Sequence, residues 1–69
     1  MRFRYDKEVD AGYIYIKYPI RSGEAKKTVT LSDNIILDFD KKDKLIGVEI
    51  LNASKMMDRQ VLRDAGKAA

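Results

Sequence analysis

The stretch from residue 38 to residue 54, DFDKKDKLIGVEILNAS, constrains the fold more than any other part of the chain. An apolar run ends there in two aspartates, a charged turn follows, and residues 45–51 then alternate between inward apolar and outward positions. Alternation with a period of two is typical of a half-buried strand. Asn52 or Ser54 can accept hydrogen bonds from the first free amides of a following helix. The stretch therefore predicts a β-hairpin that leads into a helix.

Short runs with the same alternation, or rich in β-branched and aromatic residues, recur between turn residues along the chain. They predict strands at residues 2–5, 13–18, 27–31, 35–39 and 45–51. Pro19 cannot donate a ladder hydrogen bond, so we expect it to end the second strand. Short connections between successive strands favour an antiparallel meander over residues 1–51.

The last part of the chain has a different period. Met57, Val61 and Ala65 recur every four residues, which predicts one helix over residues 52–66 that ends at Gly66. We expect this helix to pack on its own sheet, although its basic face could also dock an acidic partner. The predicted fold is α+β: a four- or five-stranded antiparallel meander sheet with one C-terminal helix packed on one face, and a frayed tail at 67–69.

Size and composition restrict how such a fold is stabilised. The 69 residues are enough for one domain but bury only a thin core. The chain has no Cys and no His, which excludes disulfides and metal sites built on thiolate or imidazole. Small domains without such links depend on close packing or on a partner subunit. We therefore expect no cofactor, and self-association becomes a serious candidate.

The same composition bears on location and catalysis. The absence of Cys fits a reducing cytoplasm, residues 1–10 lack the apolar core of a signal peptide, and no apolar run approaches the length of a membrane span. We expect a cytoplasmic protein that does not contact a membrane. Without His or Cys the common nucleophile–base pairs are missing, so we expect no enzymatic activity.

A second apolar face is the main functional clue, because one short helix covers only one side of a sheet. If the helix side carries Ile14, Ile16, Val29, Leu37 and Val48, the other side carries Tyr13, Tyr15, Ile36, Leu45 and Leu51. Contiguous exposed apolar surface is typical of an interface, whereas scattered apolar side chains are ordinary surface. We favour the interface and predict a homodimer through the second set. An unidentified protein partner is the other candidate for this surface.

Nucleic acid is the alternative partner. Tyr13 and Tyr15 could stack on bases while Arg2, Arg4 and Lys17 contact phosphates. Basic residues are interleaved with acidic ones along the sequence, however, and the net charge is only +3. The same tyrosines serve equally well as anchors of a protein interface, which we favour.

Two groups of acidic residues are candidates for metal sites because carboxylates are close together in the sequence. Asp38, Asp40, Asp43 and Glu49 are spaced like part of a calcium-binding EF-hand loop, but Asp43 stands where that loop needs Gly and Lys42 where it needs an oxygen ligand. We expect these acids to order a hairpin turn and pair with Lys41 or Lys44. A second group comprises Asp6, Glu8 and Asp10. We expect these to bond nearby backbone amides in a turn, with a weak divalent-ion site as the alternative.

Two stretches taken together, YDKEVDAGYIYI at 5–16 and DFDKKDKLIGVEILNASK at 38–55, resemble the small prokaryotic family called domain of unknown function twenty-two eighty-three. The positions that carry the resemblance are Tyr5, Asp6, Glu8, Asp10, Ala11, Tyr13, Ile14, Asp38, Asp40, Gly47, Glu49, Ile50, Leu51, Ala53 and Ser54. The turn at 42–44 departs from the Asp-Gly type that the family pattern has. The resemblance implies no activity, because the family has no assigned function.

Overall fold

Five strands and two short helices make up the chain, in a computed structural model that describes residues 1–68 and the side chains of residues 1–65. The strands are β1 (Arg2–Asp6), β2 (Ala11–Tyr15), β3 (Lys27–Ser32), β4 (Ile35–Phe39) and β5 (Leu45–Leu51). The helices are α1 (Ala53–Met56) and α2 (Arg59–Ala68). The predicted α+β class with a five-stranded antiparallel sheet is confirmed.

The order of the strands is β1-β2-β5-β4-β3, and every neighbouring pair is antiparallel. Only β3, β4 and β5 form a meander, so the predicted meander over the whole of residues 1–51 is wrong. β2 pairs with β5, and residues 16–26 carry the chain from the inside of the sheet to its far edge. The burial of the strands fits this order: β5 carries the buried Ile46 and Ile50 and lies in the centre, whereas β3, KTVTLS, suits an edge.

The end of β2 differs from the prediction. The strand covers 11–15 instead of 13–18, and the amides of Ile16 and Lys17 both donate to the carbonyl of Ile46, at 3.0 and 3.1 Å. Two amides sharing one acceptor mark a bulge, which turns the chain away from the ladder. Strand β2 therefore ends before the cis Tyr18–Pro19 bond, and Ile16, 37% exposed, lies beyond the strand.

The predicted single helix is two helices. Met57 is extended, with φ −125° and ψ 151°, and the carboxylate of Asp58 accepts the amide of Gln60 at 2.8 Å, which caps α2. A side-chain cap of this kind starts a new helix and competes with the continuation of the old one. Helix α2 runs through Gly66 to Ala68, so Gly66 does not end it, and Ala69 lies outside the described residues. No helix in residues 1–68 is long and apolar enough to cross a membrane.

The two sides of the sheet follow from the register. One row across four strands joins Ile14, Val48, Leu37 and Val29, which therefore share a side, as predicted. Phe3 pairs with Ile14 and lines a cavity together with Val61 and Ala65 of α2. The helices thus lie on this side, which we call the helix face.

The core is as thin as expected for this length. The buried apolar residues are Ile46, Ile50, Ala53 and Ala65, and no large side chain among residues 1–65 is fully buried. Helix α2 contacts the edge strand β1 and helix α1 contacts the central strand β5, so among the described residues the helices cover chiefly these two strands. The molecule is flat, with principal extents of 34 × 25 × 17 Å.

Candidate interface on the tyrosine face

The side of the sheet opposite the helices carries most of the predicted interface residues. We call it the tyrosine face, and it comprises Tyr13, Tyr15, Ile36, Asp38, Gly47, Glu49 and Leu51. One row across the strands runs from Tyr13 through Glu49 to Ile36, and the next from Tyr15 through Gly47 to Asp38. Residues opposite each other in a sheet point to the same side. Apart from the buried Gly47, these residues are half-buried.

A hydrogen bond that spans three strands organises the centre of this face. The hydroxyl of Tyr13 on β2 donates to Oδ2 of Asp38 on β4 at 2.6 Å, over the top of β5. The ring can cross β5 only because Gly47 has no side chain, since a Cβ there would lie within 2.7 Å of Tyr13 Cε1. Oδ1 of Asp38 accepts the hydroxyl of Thr28 on β3 at 2.9 Å. One chain of hydrogen bonds therefore ties β2 to β3.

The protonation of Tyr13 follows from this position. Burial, followed by the hydrogen bond to Asp38, raises the pKa of the Tyr13 phenol far above its ordinary value. The hydroxyl therefore remains protonated and keeps donating throughout the physiological pH range. Such a group stabilises the sheet and is poorly suited to giving up its proton in a reaction.

Aromatic rings line one side of the face in sequence. The centroids of Tyr13 and Tyr15 lie 4.7 Å apart, and those of Tyr15 and Tyr18 lie 5.2 Å apart at nearly right angles. The guanidinium carbon of Arg2 lies 4.6 Å from the centre of the Tyr18 ring. These three distances, and the right angle between Tyr15 and Tyr18, are typical of favourable aromatic and cation–π contacts. The rings support each other and present a continuous aromatic strip.

An open groove of about 480 Å³ runs beside this strip. Tyr13 and Tyr15 form its aromatic wall, Val9 contributes an exposed apolar side chain, and Arg4 and Glu49 bring charges of opposite sign. Neither Arg4 nor Glu49 forms an ion pair with another residue in the range 1–65. Asp6 and Lys7 line the groove as well, so it combines apolar contact area with two charges of each sign, a composition typical of a protein-interface rim.

The predicted interface set is largely brought together. Tyr13, Tyr15, Ile36 and Leu51 lie on the tyrosine face, whereas Leu45 does not continue it. A bulge skips Ile46 and pairs Leu45 with Phe39, which interrupts the alternation that would have placed Leu45 beside Gly47. Leu45, 37% exposed, therefore lies at the end of the strand, outside the set.

The residues of the nucleic-acid alternative are less well placed. Arg2 lies against Tyr18, and Lys17 forms an ion pair with Glu24. Arg4 is exposed near Tyr13 and Tyr15, but two carboxylates, Asp38 and Glu49, share the face with these rings. Negative charge beside the rings opposes the approach of phosphates. These placements count against the nucleic-acid alternative on the tyrosine face.

A second hydrogen-bonded cluster, on the helix face, was missed by the sequence analysis. Asp10 accepts the hydroxyl of Tyr5 at 2.6 Å, and both the amide and the hydroxyl of Ser54, at 2.9 and 2.6 Å. The carbonyl of Asp10 accepts the amide of Ala53 at 2.9 Å. These bonds lower the pKa of the Asp10 carboxyl and raise that of the Tyr5 phenol. Asp10 therefore caps α1 from the β1–β2 turn, and we call the cluster the clasp.

The clasp corrects the predicted helix cap. Asn52 precedes α1 but makes no side-chain cap bond and donates instead to Asn34, at 2.9 Å. Both Asp10 and Asn52 have positive φ, 53° in each case, which Asp and Asn tolerate better than most residues. The signal for this arrangement was present in the sequence, because Tyr5, Asp10 and Ser54 all belong to the two stretches that carry the family resemblance.

The acids at 38–43 order the hairpin, as expected. Oδ1 of Asp40 accepts the amides of Lys42 and Lys44 at 2.8 and 3.0 Å, and these bonds lower the pKa of the Asp40 carboxyl. The expected pairing with Lys41 or Lys44 is wrong, since Asp43, with φ 60°, reaches Lys27 across the sheet at 3.7 Å. Without an Asp-Gly turn, the loop closes through the side chain of Asp40.

The first acidic group along the chain, Asp6, Glu8 and Asp10, lies at the turn between β1 and β2. Oδ1 of Asp6 accepts the amide of Glu8 at 3.0 Å, the bond expected of an aspartate that starts a turn. Asp10 is committed to Tyr5 and Ser54, so the three acids do not converge on one point. Within the described chain, no three acidic side chains gather as ligands of a metal ion.

Comparison with known proteins places these features in a family. A family model described as "Protein of unknown function (DUF2283)" matches residues 2–54, which confirms the resemblance read from the sequence. An uncharacterized protein of Methanocaldococcus jannaschii is 38% identical over 58 residues, which cover 84% of this chain and 46% of that protein. The chain thus spans about half the length of the curated relative that it matches. No solved structure matches it.

Proposed function

This chain belongs to the DUF2283 family of proteins of unknown function, and we propose that it is a non-enzymatic interaction module that forms a homodimer through the tyrosine face. In this proposal the module acts as an accessory domain in the cytoplasm. The observation that carries the proposal is the uncovered tyrosine face itself, with its aromatic strip and half-buried apolar side chains.

The absence of a covering layer is the first support. Helices α1 and α2 pack on the helix face, so neither helix covers Tyr15, Ile36 or Leu51, and Tyr15 packs against its sheet neighbours and the ring of Tyr18. A sheet normally buries its apolar face against another element. A second copy of the chain, laid face to face, would supply that layer as in a β-sandwich.

The total exposed area is the second support. The chain exposes 5195 Å², whereas a folded monomer of 7.9 kDa is expected to expose about 4,400 Å². The excess, roughly 800 Å², equals the area that each partner contributes to an interface of standard size. An interface on one face of this flat molecule would therefore return the chain to the surface area typical of its mass.

Charge complementarity is the third support. In a two-fold symmetric dimer, each contact between two different residues occurs twice. Arg4 and Glu49 line the same groove beside Tyr13 without an ion pair of their own in residues 1–65. Arg4 of one copy can thus face Glu49 of the other at both ends of the interface. The pair would select the register of the dimer more than its affinity.

The experiment is analytical ultracentrifugation of the wild type and of three single substitutions. Ile36→Asp and Tyr15→Asp introduce a charge into the tyrosine face, and we expect both to sediment as monomers where the wild type is dimeric. Val61→Asp is the matched control, because Val61 is 43% exposed on α2, on the opposite side of the sheet. We expect it to remain dimeric.

Two outcomes would refute the proposal. A wild type that stays monomeric at the highest soluble concentration excludes the homodimer. A dimer that is lost with Val61→Asp and kept with Ile36→Asp moves the interface to the helix face. Circular dichroism of each variant separates loss of association from loss of folding.

A further inference from the structure

The charges of this chain are separated in space although they are mixed along the sequence. The segments 16–27 and 40–44 come together at one end of the sheet, which we call the basic end. It contains Lys17, Arg21, Lys26, Lys27, Lys41, Lys42 and Lys44, against Glu24, Asp40 and Asp43. Its net charge is +4, so the rest of the chain, with a total of +3, carries −1.

An open cleft of about 460 Å³ occupies the centre of the basic end. Four exposed cations line it, Arg21, Lys26, Lys41 and Lys42. None of these four forms an ion pair within residues 1–65. The cleft therefore presents four cations without a direct carboxylate partner in this part of the chain.

Two acids, Glu24 and Asp40, also line the cleft, so the net charge of its lining is +2, but neither forms an ion pair with one of the four cations. Oδ1 of Asp40 accepts two backbone amides of its own turn. Glu24 accepts the amide of Arg21 at 2.9 Å and pairs with Lys17, which does not line the cleft. Both carboxylates are thus used to shape the two loops. The loops in turn hold the lysines together.

We propose that the basic end binds the sugar–phosphate backbone of a nucleic acid. The residues that line the cleft are all polar or charged apart from Gly23, and none of them is aromatic or aliphatic. Acidic peptides usually need an apolar anchor or a free strand edge besides charge. A phosphodiester chain needs only closely placed cations, whose binding releases its condensed counter-ions. The contact is electrostatic and independent of base sequence.

This site is separate from the proposed dimer and does not depend on it. The residues that define the tyrosine face lie in strands, whereas those that line the cleft lie in the two loops beyond them. Of the acidic residues elsewhere, Asp6 ends β1, Glu8 and Asp33 lie in turns at the other end of the sheet, and Asp58 lies between the two helices. This separation would orient the chain as it approaches a polyanion.

The test is fluorescence anisotropy with short labelled single-stranded DNA and RNA over a range of salt. Four phosphate contacts predict a slope of log K against log salt of about −3, which is roughly 20-fold weaker binding when salt rises from about 50 to about 150 mM. The triple substitution Lys26→Gln, Lys41→Gln, Lys42→Gln should weaken binding at least tenfold and reduce the slope to about −1.

The matched control removes the same charge elsewhere, through Lys7→Gln, Lys55→Gln and Arg59→Gln, and should bind within twofold of the wild type. Equal weakening by both triple variants would overturn the proposal, because net charge alone would then explain binding. Equal competition by polyglutamate would also overturn the proposal, because it would indicate an acidic protein as the ligand. An absence of binding at low salt would overturn it too. Amide shifts of the wild type on titration with the DNA should fall at 21–26 and 40–44, and shifts confined to other segments would overturn it as well.

Discussion

Two tyrosine–aspartate pairs lie on opposite sides of the sheet, each with a hydrogen bond of 2.6 Å. In the clasp, Tyr5 and Asp10 are near each other in sequence and hold the start of α1. On the tyrosine face, Tyr13 and Asp38 come from separate strands and lock the centre of the sheet. The pKa of Tyr5 is raised mainly by the hydrogen bond, and that of Tyr13 mainly by burial. Equal geometry therefore does not mean an equal role.

The largest effect should come from filling the space that the Tyr13 ring occupies. Gly47→Ala places a methyl group against the ring, which must swing away and lose its bond to Asp38. We expect the free energy of unfolding to fall by about 2–3 kcal/mol, from overpacking plus one lost hydrogen bond. Urea denaturation followed by circular dichroism measures it.

A double-mutant cycle provides the control for this prediction. In a Tyr13→Ala background the ring is gone, and Gly47→Ala should then be neutral or slightly stabilising, because alanine restricts the unfolded chain more than glycine. An equal cost in both backgrounds would show that the glycine is required for its backbone and not for the ring.

The second effect concerns alkaline pH and separates the two pairs directly. Because both tyrosine pKa values are raised on folding, their contribution to stability is complete below about pH 10 and is lost as the pH rises above it. Asp10→Gly should lower the pKa of Tyr5 most of the way towards its ordinary value, because the hydrogen bond is the largest cause of the rise. Asp38→Ala should leave the pKa of Tyr13 raised, since burial persists.

NMR titration of the tyrosine ring carbons, assigned for each residue, gives both values. If Asp38→Ala restores an ordinary pKa to Tyr13, burial is not the main cause and the contrast between the two pairs disappears. Tyr13→Phe should also flatten the loss of stability above about pH 10, more than Tyr5→Phe does.

The smallest effect is at acid pH and belongs to the clasp alone. The pKa of Asp10 is lowered by its bonds to the hydroxyls of Ser54 and Tyr5. The contribution of the Asp10 carboxylate to the free energy of unfolding is therefore complete above the ordinary carboxyl pKa of about 3.9. It is lost as the pH falls through the lower pKa of the folded state. Urea midpoints measured from neutral to acid pH should decline less steeply for Asp10→Gly than for the wild type.

The acid limb should not vanish in that variant, because the lowered pKa of Asp40 makes a similar contribution. Ser54→Ala removes one of the three bonds to Asp10 and should give an intermediate profile. Superimposable profiles for the wild type and Asp10→Gly would mean that the clasp carboxylate is not coupled to folding.

The sequence predicts what is local in this fold. The bounds of β4 and β5 are as predicted, because alternation and a charged turn are properties of neighbouring residues. The strand order was not predicted, since pairing of β2 with β5 depends on how a ring of β2 fits a glycine of β5. The composition of residues 16–26 favours a short connection between β2 and β3, and no local sequence pattern indicates the longer crossover.

In the candidate site, too, the sequence predicts the local features and not the contacts between distant residues. Four of the five predicted interface residues share a face, because side chains alternate between the two sides of a strand. Leu45 does not join them, because a bulge interrupts this alternation. The clasp joins residues 44 positions apart, and Tyr13 and Asp38 are separated by 25 positions. Charges that gather at the basic end come from two loops far apart in sequence, so interleaving along the chain hid their clustering.

The crossover at 16–26 has a consequence for how the chain folds. It divides the sheet into a hairpin, β1–β2, and a three-stranded unit, β3–β4–β5, each held by contacts between sequence neighbours. Pairing β2 with β5 must bring together segments about 35 residues apart in sequence, which costs more loop entropy than closing either hairpin turn. We expect the three-stranded unit to form first and the hairpin to dock last. A nick in the crossover would leave two fragments with complementary edges, so the domain is a natural candidate for reassembly from two separately expressed halves.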